Sequence, residues 1–486
     1  MTNLADYRRQ YGPWIPILMF SAAVAAFLWP IYPQGALVAF VGVTSVVFSL
    51  LSGMAVNPSY PAIPQFAVAL FGVQHVICPM LYYTYPSTAD PSFGVTSAFT
   101  KTFAYCCWGT ALMSSIVWFF TRMPTGPVVR PIELLDRRTY RRILEWSWLT
   151  WAAGTIFFMA VRNLPVGTSL GYFFVLLVAL RDVAICVLVL LLPRNRVGLF
   201  VGCIFLVQLI VSLNTTMFSH FFIVFGAALI FLAHRRMWRW KLILALFAGV
   251  LFTAFIQNEK LAYRERMWSD AKIVTLGERL GYWQVRIREN VSVFGAGGLG
   301  QFFRPLVIRL NQERIVEQVV RRVPSREPYA GGRTMLTAVQ LVIPRVLWPG
   351  KPVHSSNEMF VKYTGHVLQS GTSMGVGPLG ECYLNFGLWG LIAFAVYCSI
   401  IGIISRIWIR LGAAHPLWWA WYLYIMYFLI KAESDFSKAF NALVKSLLFM
   451  GVILCVSPVW RHMLTAVRRR PPSRHPAFPQ PGPRRP

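Results

Sequence analysis

Acidic side chains are scarce in this chain: 18 Asp and Glu among 486 residues, against 46 Lys and Arg, for a formal net charge of +28. Charge of either sign is thin, at 13% of residues, where a soluble domain carries about 25%. A chain this long and this poor in charge cannot cover itself towards water, which excludes a soluble globular protein. The basic excess falls between apolar runs and not on one soluble face, which argues against nucleic acid as a partner. The eight cysteines have no CxxC spacing. Seven (Cys78, Cys106, Cys107, Cys186, Cys203, Cys398, Cys455) lie inside apolar runs and Cys382 just before one. That argues against a structural zinc site or a disulfide framework, and small apolar fillers explain them.

What the chain has is apolar length: 56% of residues are hydrophobic and the mean hydropathy is +0.54. Twelve runs reach the length needed to cross a hydrocarbon core. They lie near 13–32, 35–56, 62–83, 100–121, 146–161, 170–192, 198–213, 215–233, 242–257, 386–405, 416–430 and 439–457. The 198–233 stretch reads as two short spans or as one span with a re-entrant piece. The first run is expected to stay in the membrane as a helix. With both termini inside, Arg8 and Arg9, the arginines of 122–142, Arg194 and Arg196, the cluster Arg235, Arg236, Arg239 and Lys241, Arg406 and Arg410, and the basic tail all fall inside. The short outer connections are nearly free of Lys and Arg, as the positive-inside rule requires. The expected fold is all-α: a polytopic bundle of about 12 spans with a large, partly helical outer loop. Its parts are an N-terminal transmembrane bundle (1–257), the loop (258–385), C-terminal transmembrane helices (386–460) and a disordered basic tail (461–486) suited to topology or to anionic headgroups.

The loop breaks the charge rule. From about 257 to 384 it carries seventeen Lys and Arg, and ten acids including Glu381. Long loops translocate regardless of charge, so the excess is permitted but unexplained, and an anionic ligand would explain it. Its first half, 259–324, reads as amphipathic helices suited to the membrane surface, with solvated or headgroup-bound arginines. Arg264 and Arg266 stand at its start. Gly295–Gly300 spells a dinucleotide fingerprint but follows no strand in a βαβ unit, so a flexible hinge is the better reading. The second half holds Tyr329, Gly331, Gly332 and Arg333, then Pro344, Arg345, Trp348, Pro349, Lys351 and Pro352, then His354, Glu358, Lys362, His366 and Glu381. The prolines forbid a continuous helix and hold Arg345 and Lys351 on an extended path. Arg presents a planar fork to phosphate oxygens and Lys a compact charge.

Ile343, Pro344 and Arg345, then Trp348, Pro349, Gly350, Lys351 and Pro352, followed by Gly380, Glu381, Asn385, Phe386 and Gly387, resemble the Wzy-type oligosaccharide repeat-unit polymerases. These are bacterial inner-membrane enzymes of O-antigen, capsule and exopolysaccharide synthesis. The matching block runs from Arg333 to about Lys445, and the rest agrees in topology. The family pattern often has an acidic or polar residue where this chain has Gly350.

The resemblance implies a glycosyltransferase at the periplasmic face that moves a glycan from undecaprenyl pyrophosphate to a hydroxyl of a second lipid-linked unit. The leaving pyrophosphate then needs cations, for which Arg264, Arg266, Arg333, Arg345, Lys351 and Lys431 are the candidates, without a metal or other cofactor. The hydroxyl needs a base, for which Glu381 and His354 come first, with His366 and Glu358 behind. A helix N-terminal acid and ordinary loop histidines are the alternatives. The connection 431–438 is positioned to complete the site, and Arg181 with Asp182 forms an intramembrane pair or marks a helix break. Expected partners are lipid-linked oligosaccharides, membrane lipids and a chain-length regulator. An O-antigen ligase, or a flippase or exporter of lipid-linked glycans, is the alternative function.

Overall fold

The computed structural model describes residues 36–51, 60–84, 101–121, 137–161, 168–215, 219–235, 239–269, 276–343 and, with short gaps at 344–347, 349, 351–354, 369–373, 416 and 432, the chain from there to 457. Among the described residues the regular structure is all helical. In chain order the helices are α1 (Ala36–Leu51), α2 (Ile63–Gly72), a π turn (Val73–Ile77), α3 (Cys78–Thr84), α4 (Lys101–Thr121), α5 (Arg137–Val161), α6 (Thr168–Leu191), α7 (Arg194–Thr215), α8 (Ser219–His234) and α9 (Arg239–Ser269). Then follow α10 (Leu276–Leu310), α11 (Glu313–Arg322), α12 (Arg333–Val342), α13 (Ser356–Thr364), α14 (Gly377–Phe386), a 3-10 turn (Gly387–Trp389), α15 (Gly390–Ala414), α16 (Trp418–Ile430) and α17 (Phe436–Val456).

Among the described residues, five segments are long and apolar enough to cross a membrane: Ile63–Tyr83, Lys101–Thr121, Arg194–Leu213, Gly377–Ala414 and Phe436–Val456. Ala36–Ser49, Val224–His234 and Trp418–Ile430 are shorter apolar helices. Eleven of the twelve expected runs coincide with helices, and the run 13–32 lies outside the described residues. The 198–233 stretch forms two helices, α7 and α8. The apolar faces are those of a membrane protein. Along α15, Ile392, Val396, Ile403 and Ile407 are exposed at helical spacing, while Phe394, Tyr397, Cys398, Ile401 and Trp408 on the other side are buried. An exposed stripe of that kind is costly in water and favourable against lipid.

Contacts between helix ends sort the bundle into two poles. At one, Tyr60 Oη donates to the carbonyl of Thr121, Tyr140 Oη to that of Leu191, and Arg235 Nη1 to that of Val189 at 2.6 Å. His234 and Tyr60 both pack on Trp419 there. Burial and the neighbouring Arg194 lower the pKa of Arg235. At the other pole, Tyr263 Oη donates to the carbonyl of Leu213, and Arg309 pairs with Glu433 at 3.0 Å.

Three expectations are corrected. Gly295–Gly300 is no hinge, because α10 continues through it without a break. Nor is α11 a surface helix: Glu313, Arg314, Ile315, Val316, Glu317 and Val319 are buried where it packs on α4, α13 and α14. Arg181 marks no break either. It is fully buried in an unbroken α6, with Nε 3.5 Å from Asp182 and its guanidinium over Phe158 at 5.0 Å.

Candidate functional site

α14 begins where Pro378 occupies its first turn, a position in which a missing N–H costs nothing. It ends at Gly387, whose φ of +61° suits glycine. Between them Glu381 is fully buried. One carboxylate oxygen, Oε1, accepts from Ser437 Oγ at 3.0 Å. The other, Oε2, has no hydrogen-bond partner among the described residues. One turn on, Asn385 Nδ2 donates to the carbonyl of Glu381 and to Thr334 Oγ1, both at 2.7 Å. Asn385 Oδ1 accepts from Gly332 N at 2.9 Å, and the carbonyls of Leu384 and Asn385 accept from Ala330 N and Gly331 N. The end of α14 therefore organises the turn that launches α12. Ser437 Oγ is also 2.7 Å from the carbonyl of Thr334, the second residue of α12, and Ser437 is the second residue of α17. With their first turns joined and their lengths packed together, α12 and α17 run side by side in one sense.

Asp435, fully buried immediately before α17, accepts from Val376 N at 2.8 Å and Gly377 N at 3.3 Å. It thus caps the N-terminus of α14 with an anion, where the helix dipole favours one. Burial still raises its pKa, opposed by bonds to Ser356 and these amides and by Lys438. The same turn carries Glu433, ion-paired with Arg309, and Lys431, whose Nζ lies 3.0 Å from Tyr427 Oη. α13 starts with a Ser355 cap that accepts from Glu358 N at 3.2 Å. It ends at Gly365, with φ of +78°, against Arg322. His366 follows, its pKa lowered by partial burial and by Arg314.

On α11 a second acidic group lies within the fold. Glu313 and Glu317 are buried, and Tyr83 Oη lies 2.8 Å from Glu313 Oε2 and 3.3 Å from Glu317 Oε2. Burial, then the neighbouring Glu317, pushes the pKa of Glu313 up to about 8.

Of the residues expected from sequence, Glu381 gathers the connection 431–438 through Ser437, and Arg333 stands exposed beside Thr334 at the start of α12. Lys431 is on the same connection, held to Tyr427 at the end of α16. Arg264 and Arg266 lie on the extension of α9 beyond its apolar part, with side chains outside what is described. Arg345, Lys351 and His354 lie outside the described residues, as do the N-terminal arginines and the tail. Among the described residues no three His, Cys, Asp or Glu side chains gather as a metal site. Sequence reasoning gave Thr334 and Ser437 no role of their own within the stretches it singled out, and did not single out Tyr83, Glu313 or Glu317. The only signal for the last two was their spacing of four, which puts two acids on one helical face beside Val316.

A family model described as a domain of unknown function, DUF8712, matches residues 138–458. No curated protein and no solved structure matches the chain.

Proposed function

We propose that this chain, which belongs to the DUF8712 family, is a membrane glycosyltransferase. In this reading it polymerises oligosaccharide repeat units carried on undecaprenyl pyrophosphate, at the periplasmic face of a bacterial inner membrane. The observation that carries the reading is Glu381: a buried carboxylate at the mouth of a membrane helix, held at one oxygen by Ser437 and, among the described residues, with no hydrogen bond at the other. The two poles of the bundle support the orientation. The ends that meet at Tyr60, Thr121, Tyr140, Leu191 and Arg235 are those the positive-inside rule puts in the cytoplasm. The pole with Glu381, Asp435 and α11 is then periplasmic, with twelve spans and 258–385 as the outer loop.

In the reaction the acceptor hydroxyl attacks the anomeric carbon of the donor glycan. A new glycosidic C–O bond forms while the bond from that carbon to pyrophosphate breaks, and the leaving group keeps the electron pair. Glu381 Oε2 takes the hydroxyl proton. Arg333, Arg345, Lys351 and Lys431, with Arg264 and Arg266 from α9, neutralise the pyrophosphate. Because Glu381 lies under the start of α12, the acceptor reaches it by displacing that turn, which pivots at Gly331 and Gly332 with φ of +58° and +85°.

The test is glycan profiling of a deletion strain complemented with variants. Deletion should leave single repeat units in place of long chains. Glu381→Gln and Arg345→Ala should do the same with the protein still inserted. Accumulated long lipid-linked chains would instead identify a ligase, and single units stranded inside a flippase. Normal polymer from Glu381→Gln would overturn its role as base.

A further inference from the structure

The Glu313, Glu317 and Tyr83 group takes no part in the reaction above, and its geometry fixes a proton count. A phenol hydroxyl has one proton, yet Tyr83 Oη stands within hydrogen-bond distance of an oxygen of each carboxylate. It can donate to one of them only, and the other contact is attractive only if that carboxyl brings its own proton. Of the two carboxylates Glu317 is the one with a cationic partner, since Arg321 Nε and Nη2 both donate to its Oε1 at 3.0 and 2.7 Å. The hydroxyl proton then goes to Glu317, and Glu313 donates across the shorter 2.8 Å contact. Glu313 is 0% exposed, and its Oε1 has no hydrogen-bond partner among the described residues, an arrangement far costlier for a carboxylate than for a carboxylic acid. The charges acting on it come from Glu317, Arg314 and Arg321 on its own helix and from Tyr83 on α3, while α4 turns Cys106 and Cys107 towards it. The other elements packed on α11 bring Tyr363 (α13), Glu381 (α14) and His75 (π turn) as buried titratable groups.

We infer that the two carboxyls Glu313 and Glu317, bridged by the Tyr83 hydroxyl, hold one proton between them, carried on Glu313, and that this proton ties α11 into the bundle and so links the α11–α14 packing beside Glu381 to pH. The sign follows from linkage. Docked, Glu313 keeps its proton up to about pH 8; undocked, it loses it near the ordinary 4.5. Between those values the docked state holds one proton more, so docking weakens as pH rises and levels off once the docked group ionises.

Hydrogen–deuterium exchange of peptides spanning 311–323, on the full chain in lipid nanodiscs and corrected for intrinsic rates, reads this directly. From about pH 5 to about pH 8 the opening constant of α11 should rise by up to about tenfold per pH unit, then flatten. Glu313→Gln should remove the slope, and Glu317→Gln, which removes the like charge, should bring the plateau to lower pH. A wild-type profile without slope, or a slope unchanged in Glu313→Gln, overturns the inference. If Glu313→Gln fails to insert, infrared spectroscopy of the wild type decides: a protonated-carboxyl band that titrates away near about pH 8 is expected, and its absence at neutral pH rejects the proton.

Discussion

Two buried acids one contact apart do different work. Asp435 is a cap: two amides at the start of α14 point at it, and the helix would lose them if it left. Asp435→Ala should cost about 1–2 kcal/mol, measured as denaturation of the purified protein in detergent. Asp435→Asn keeps an oxygen acceptor and sheds the charge. Burial raises the pKa of Asp435 above its unfolded value, so the folded state binds more protons there. Wild-type stability should therefore fall as pH rises past the unfolded value and level off above the folded one. Asp435→Asn should lack that part of the dependence and be at least as stable at neutral pH. Ser437 has the reciprocal role for Glu381. Its removal in Ser437→Ala takes the hydroxyl hydrogen bond away from a buried carboxylate, at a cost of about 1–3 kcal/mol in the same assay. Glu381 was legible in the sequence because it precedes an apolar run beside Asn385 and Gly387. Ser437 and Thr334 were not, because a serine or threonine at a helix start has a local explanation, and only the meeting of α12 with α17 gives it another.

At the scale of elements, the joint between α14 and α15 is a backbone matter. Gly387 takes φ of +61°, and a Cβ there would stand 2.8 Å from Tyr329 Oη. At Gly390 a Cβ would run into the backbone carbonyl of Cys382, which has no side-chain freedom to yield. Gly390→Ala should cost about 1–3 kcal/mol and lower the yield of inserted protein, whereas Gly281→Ala, in open space on α10, should be neutral. The helices of the loop show where periodicity misleads. A run of six residues with four glycines reads as a breaker, yet α10 carries it without interruption. The run from Pro305 to Val323 reads as one surface helix but is cut at Asn311 and Gln312, and its second piece is docked. Amphipathicity says that one face is apolar. It does not say whether lipid or protein covers it.

Across the whole molecule the two poles make a topological prediction. A membrane-impermeant thiol reagent applied to intact spheroplasts should label Ser325→Cys but not Arg138→Cys, in a chain whose exposed Cys203 and Cys455 are replaced by serine. The reverse pattern would place Glu381 in the cytoplasm and end the reading of a periplasmic enzyme. By itself the sequence determined that lipid is the solvent, that the architecture is helical, and roughly where most helices run. Each of these follows from local hydropathy, since a backbone in hydrocarbon must satisfy its own hydrogen bonds. Only the tertiary structure decided that α11 is buried, that its two glutamates share a tyrosine from α3, and that the last connection lies against Glu381. Those contacts join residues far apart in the chain, from Tyr83 to Glu313 and from Glu381 to Ser437. Hydropathy measures what a segment prefers as solvent, and carries nothing about which distant segment it meets.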